Sequence, residues 1–123
     1  MASLFVIEGK ARGNYYVLDE GTVRVGRDEH ADIQIVDDMV SRSHLDVRYD
    51  SRRNACRITD LQSANGSFVN GRRIAGEVQL ADGDTIRIGQ TTMLYTVKNV
   101  SDLDTAMAFI KKRGEHGKGT LIQ

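Results

Sequence analysis

Apolar and polar positions alternate with a period of two from residue 3 to about residue 100. That period places successive side chains on opposite faces of an extended chain. Leu4 and Val6 alternate with Phe5 and Ile7, and Tyr15-Tyr16-Val17-Leu18 follows a Gly-Asn turn signal. Thr22–Val25 and Ile33–Ile35 are short strand-like runs. Leu45, Val47 and Tyr49 share one face, with Asp46 and Arg48 on the other. Cys56 with Ile58, then Ile86 with Ile88, then Met93, Tyr95 and Val97 continue the series. Many short strands between Gly, Asn and Asp turns predict an all-β antiparallel sandwich or barrel. No helical stretch intervenes, which argues against a parallel sheet built from βαβ units.

The period changes after Asn99. Ser101 is placed to cap a helix, and Asp102 and Asp104 fall in its first turn, where negative charge is favoured. Leu103, Met107 and Ile110 then share one face. Lys111, Lys112 and Arg113 meet the C-terminal end, with Gly114 as the cap. The pattern predicts a short α-helix over roughly 102–113, followed by a flexible tail or linker over 114–123. The expected organisation is a β domain over 1–100, a helix over 101–113 and that tail.

Composition narrows the function. With 17 basic and 17 acidic residues in 123 and a pI near 6.8, the chain lacks the basic excess of a nucleic-acid binder, so any cationic site must be local. The single cysteine, Cys56, permits no internal disulfide and sits in a strand-like run, where a small core residue is expected. The first residues show no signal-peptide pattern, and the apolar runs are too short to span a bilayer. A reducing, cytoplasmic setting is expected. Three scattered histidines and one cysteine form no metal-ligand pattern, and no Walker-type loop is present. No cofactor, metal, membrane or nucleic-acid partner is expected. The chain has no proline, so its turns fall to Gly, Asn and Asp.

Three polar segments at strand ends carry the candidate chemistry. Gly26-Arg27 follows a strand directly, and an arginine there is suited to bidentate capture of a phosphate. Taken alone, Arg27 reads more readily as half of a surface ion pair with Asp28 or Glu29. Ser41-Arg42-Ser43-His44 leads into the next long strand and offers hydroxyls, main-chain N–H groups and a second charge. Ser41 and His44 also resemble a nucleophile and its base, but no acid is placed to orient the histidine. A structural His44, tying neighbouring loops together, is the expectation. Asn65-Gly66 and Asn70-Gly71 read as two tight turns flanking the short strand Ser67–Val69. The Asn65 amide, a donor and an acceptor together, is also suited to reading a peptide main chain.

In this order, Gly-Arg, Ser-Arg-x-His and Asn-Gly-x-x-x-Asn-Gly resemble the forkhead-associated (FHA) domain over about residues 3–98. The resemblance implies an 11-stranded β-sandwich that binds phosphothreonine peptides on loops at one end, without catalysis. It implies that Arg27 and Ser41 contact the phosphate, aided by Arg42, and that Asn65 holds the peptide main chain. Gly26, His44, Gly66, Asn70 and Gly71 would support the loops. One position departs from the family pattern: Ala64 stands where a hydroxyl residue is frequent. Met39 and Val40 are the loop residues expected near the third residue after the phosphothreonine. The alternative reading is a phosphate-independent interaction domain of a larger regulatory protein. In that reading the helix serves self-association or leads to a following domain.

Overall fold

The structure, a computed structural model, describes residues 2–97. The helix expected over 102–113 and the tail over 114–123 lie outside the described residues. Eleven strands follow in chain order: β1 (Ala2–Glu8), β2 (Tyr15–Leu18), β3 (Gly21–Gly26), β4 (Ile33–Gln34), β5 (Leu45–Asp50), β6 (Ala55–Asp60), β7 (Ser67–Val69), β8 (Arg72–Arg73), β9 (Glu77–Leu80), β10 (Thr85–Ile88) and β11 (Thr91–Thr96). They form a six-stranded sheet in the order β2-β1-β11-β10-β7-β8 and a five-stranded sheet in the order β4-β3-β5-β6-β9.

The alternation in the sequence is realised as burial. Leu45, Val47 and Tyr49 of β5 face inward beside Cys56 and Ile58 of β6. Leu4 and Val6 of β1 face inward beside Tyr95 and Met93 of β11. These join one core cluster that closes the two sheets on each other. Each fully buried aliphatic side chain stabilises the fold by roughly 1.5–3 kcal/mol. Cys56 belongs to this core, fully buried, and burial pushes its thiol up to about 12, which makes it a poor nucleophile. Phe5 and Ile7, on the opposite face of β1, form a smaller cluster with Leu94.

One pairing differs from expectation, and two strands are not visible in the alternation. Every strand pair among the described residues is antiparallel except that of β3 with β4, which is parallel (Val25 with Ile33). There the loop after β3 returns the chain in the same direction, fastened where the Arg24 N–H donates to Asp32 Oδ2 at 2.7 Å. Strands β8 and β9 carry too little apolar alternation to be visible in the sequence: β8 is two arginines, and β9 offers only Val78 and Leu80.

Register decides where the polar segments go. Val25 pairs with Leu45, and Leu45 with Asp60, so the end of β3, the start of β5 and the end of β6 lie together. In the other sheet Ile88 pairs with both Ser67 and Thr91, which brings the start of β7 and the β10–β11 turn together. Segments far apart in sequence therefore meet at one rim of the sandwich.

Candidate functional site

Gly26 ends β3, and its role is set by space. A Cβ at this position would lie 1.9 Å from the Arg42 carbonyl oxygen and 3.1 Å from that of Ser41. Only glycine lets the two loops approach this closely. The approach is sealed by main-chain bonds: Arg27 N–H donates to the Ser41 carbonyl at 3.0 Å and Asp28 N–H to that of Arg42 at 3.2 Å. The Arg27 Nε–H donates to the Val40 carbonyl at 3.0 Å, which tethers the guanidinium beside the residue preceding Ser41. Its terminal nitrogens remain for a ligand, and among the described residues no carboxylate pairs with Arg27 or Arg42. The ion pair weighed for Arg27 with Asp28 or Glu29 is not formed: Asp28 instead accepts from the His30 N–H at 2.8 Å. Both arginines are exposed.

His44 is fully buried beneath this loop. Its Nδ1 accepts the Ser41 main-chain N–H at 3.0 Å, so the proton sits on Nε2, which faces the Gly66 carbonyl at 2.9 Å. One ring thus ties the β4–β5 loop to the β6–β7 loop. The Ser41 hydroxyl is not the group that faces the imidazole. Its Oγ accepts the Ala64 main-chain N–H at 2.9 Å, which leaves the hydroxyl hydrogen for a ligand. A base must meet the nucleophile's oxygen, so this pair lacks the geometry of nucleophilic catalysis.

Asn65 is exposed beside Ser41 in the same rim, and its Nδ2 donates to the Met39 carbonyl at 2.9 Å. That bond orients the amide and leaves Oδ1 to accept an N–H from a ligand. Gly66 is in the left-handed region (φ +85°), whereas Asn65 is not. The Asn65-Gly66 step therefore differs from the Asn70-Gly71 hairpin between β7 and β8, where both residues are left-handed (φ 50° and 83°). Asn70 sits away from the rim and fastens that hairpin: Nδ2 donates to Asp84 at 2.9 Å, and Oδ1 accepts the Thr85 N–H at 3.0 Å. Of the two residues expected near the third ligand position, Met39 is 44% exposed but Val40 is 1% exposed and belongs to the core, which removes it as a contact residue.

Two carboxylates not anticipated as site residues build the rim. Asp60 accepts the hydroxyls of Ser63 and Ser67, both at 2.6 Å, and the Ser63 N–H at 3.0 Å. Asp37 accepts the Thr91 hydroxyl and the Gln90 N–H, both at 2.8 Å, and the Met39 N–H at 2.9 Å, fixing the β4–β5 loop to the β10–β11 turn. Burial works to raise both carboxyls, but these hydrogen bonds outweigh it and hold each below the ordinary 3.8. The signal in the sequence was available: Asp60-x-x-Ser63 and Asp37-x-Met39 are spacings at which an Asp side chain bonds its own loop. Among the described residues no group of His, Cys, Asp and Glu is arranged to hold a metal ion. No helix among them is long and apolar enough to cross a membrane.

The rim thus presents a tethered guanidinium, an oriented hydroxyl, a second arginine and an oriented amide, all held by main-chain bonds. Comparison with known proteins agrees with this architecture. The chain is 40% identical over 82 residues to the FHA domain-containing protein FhaA of Mycobacterium tuberculosis, covering 67% of this chain and 15% of that protein. It is 33% identical over 101 residues to the glycogen accumulation regulator GarA of Mycolicibacterium smegmatis, covering 82% of this chain and 62% of that protein. The chain therefore spans less than two thirds of either relative. A solved structure from a structural and functional analysis of phosphothreonine-dependent FHA domain interactions superposes with a TM-score of 0.71 at 35% identity, covering 80% of this chain and 98% of that one. The family model described as FHA domain matches residues 23–89, more than half of the 123 residues, and the chain belongs to the FHA domain family.

Proposed function

We propose that this rim binds phosphothreonine-containing proteins in signalling, as a recognition module that breaks no bond. The observation that carries the reading is the convergence of Arg27 and Ser41. The Arg27 main chain and side chain are both bonded to the loop that carries Ser41, at 3.0 Å each. A phosphate entering there meets an arginine fork, a hydroxyl and the Arg42 charge. Phosphothreonine brings about −1.5 to −2 charges and three strong acceptor oxygens to such a cradle. Each hydrogen bond to a charged group contributes roughly 1.5–3 kcal/mol. A plain threonine offers Arg27 no anion.

The site is assembled before a ligand arrives. His44 and Asp60 fix the loops through buried or half-buried bonds, and Asp37 through three bonds of which that to Thr91 is half-buried, so little loop ordering is left to oppose binding. Asn65 would then accept a main-chain N–H next to the phosphothreonine and fix the peptide direction. Ala64 supplies no hydroxyl, but its N–H already orients Ser41. The relation to a protein from phosphothreonine-dependent FHA interactions supports the same reading. The test is chemical-shift mapping with a phosphothreonine peptide and its unphosphorylated twin. The expected result is movement of the amides of 26–27, 39–42 and 63–66 with the phosphopeptide alone. Equal movement with both peptides would favour a phosphate-independent interaction domain instead.

A further inference from the structure

Arg87, Phe68 and Arg73 lie side by side on three neighbouring strands. Phe68 of β7 pairs with Arg87 of β10 on one side and with Arg73 of β8 on the other. Residues directly opposite in an antiparallel ladder point to the same face. The Arg87 guanidinium stands 4.2 Å from the centre of the Phe68 ring, a cation–π stack. Both arginines are exposed, and the ring between them is half-buried.

This row continues the phosphate rim. A Cβ on Gly66 would lie 2.8 Å from Arg73 Nε and 3.2 Å from its Nη2, so the guanidinium rests against the Gly66 backbone. Gly66 directly follows Asn65, the residue read as holding the ligand's main chain.

Several other arginines of the sandwich are paired with carboxylates. Arg24 is paired with Asp46, and Arg48 and Arg57 share Glu77. Among the described residues no carboxylate pairs with Arg73 or Arg87. The Phe68 ring and a bond from Arg87 Nη1 to the Gly89 carbonyl at 3.4 Å hold Arg87 without neutralising it.

From this we infer that Arg73 and Arg87 form an auxiliary anionic subsite, which takes acidic side chains of the phosphopeptide on the arm that runs past Asn65. The subsite rests on the phosphopeptide reading of the rim. Its occupant is a short run of Glu or Asp, which the two guanidinium groups bind from either side of Phe68.

The test is a set of phosphothreonine peptides measured by fluorescence anisotropy: one with neutral flanks, one with a glutamate tract before the phosphothreonine and one with the tract after it. The wild-type chain is expected to bind one of the acidic peptides about three- to tenfold more tightly than the neutral one, the range for a few exposed ion pairs. The gain should shrink at high salt. Arg73→Ala should abolish most of the gain and leave the neutral phosphopeptide unaffected, and Arg87→Ala should reduce it. Arg72→Ala removes the same charge from the adjacent residue on the opposite face and should keep the gain. Equal affinity for all three peptides, or a gain that survives Arg73→Ala, overturns the subsite while leaving the phosphate rim intact. Failure of every phosphopeptide to bind overturns the rim itself and the subsite with it.

Discussion

His44 fastens Gly66 from below: Nε2 of its fully buried ring donates to the Gly66 carbonyl over 2.9 Å, while Nδ1 accepts the Ser41 N–H. The imidazole is therefore the joint between the loop that carries Ser41 and the loop that carries Asn65. His44→Ala would leave a buried carbonyl and a half-buried N–H without partners and open a cavity. Each such group costs about 1–3 kcal/mol, so the unfolding free energy should fall by roughly 2–5 kcal/mol. Urea denaturation followed by near-ultraviolet circular dichroism measures it. A loss within experimental error would mean that the ring does not hold the loops.

Gly26 makes the second joint, through lack of a side chain. Gly26→Ala must displace the Arg42 carbonyl, because the new Cβ would sit 1.9 Å from it. Backbone on both sides leaves little freedom to yield. Overpacking of this kind costs typically about 1–3 kcal/mol. The melting temperature should drop, and affinity for a phosphothreonine peptide should fall further than stability alone requires, since Arg27 and Arg42 both shift. Unchanged affinity and melting temperature would show that the two loops are free to separate.

How much of this could be read from the residues alone differs by element. Strands β5 and β6 were legible because their apolar alternation is the burial pattern itself, and β1 and β11 because their apolar residues fill a strand buried on both faces. Strands β8 and β9 were not, since their pairing is decided by the Asn70-Gly71 hairpin and by β6 beside them. The parallel β3–β4 pair escaped because a two-residue strand carries no directional signal. At the rim, the candidates Arg27, Ser41, Arg42 and Asn65 were singled out by order along the chain, and the structure places their loops side by side. Gly26 was expected only as a residue that supports the loops. The reason it must be glycine, contact with the Arg42 carbonyl, depends on a loop sixteen positions downstream that sequence spacing does not display. Asp37 and Asp60 were missed because their work is bonding to loop N–H and hydroxyl groups, which resembles ordinary surface polarity until the fold is known.

Those two aspartates give the rim an acid limit. An unfolded aspartate takes up a proton near 3.8, whereas Asp37 and Asp60 do so only at lower pH in the folded chain. Between those values unfolding binds protons, so acid favours it. The stabilisation they provide should be fully present well above pH 3.8 and be lost as pH falls through their folded values. Asp60→Asn should flatten the fall in the urea midpoint below about pH 4 and lower stability near neutrality by about 1–3 kcal/mol, since Ser63 and Ser67 lose a charged acceptor. An acid limb of the same steepness in both proteins would contradict this assignment.

Asn65 is exposed and bonds only the Met39 carbonyl among its described contacts. Asn65→Ala should therefore leave the melting temperature within about one or two degrees of wild type, the range of an exposed surface change. Phosphopeptide affinity should still fall by roughly tenfold as main-chain hydrogen bonding is lost. A variant that binds as well as wild type would remove Asn65 from the peptide contact.

The most direct measurement is isothermal calorimetry of one threonine peptide in phosphorylated and unphosphorylated form, against the wild-type chain and Arg27→Ala. The cradle formed by Arg27 and Ser41 predicts binding of the phosphorylated peptide only. It also predicts at least about tenfold weaker binding by Arg27→Ala, because one charge-assisted hydrogen bond alone is worth roughly 1.5–3 kcal/mol. Equal heats from both peptides, or an Arg27→Ala titration that overlays the wild type, would contradict the account.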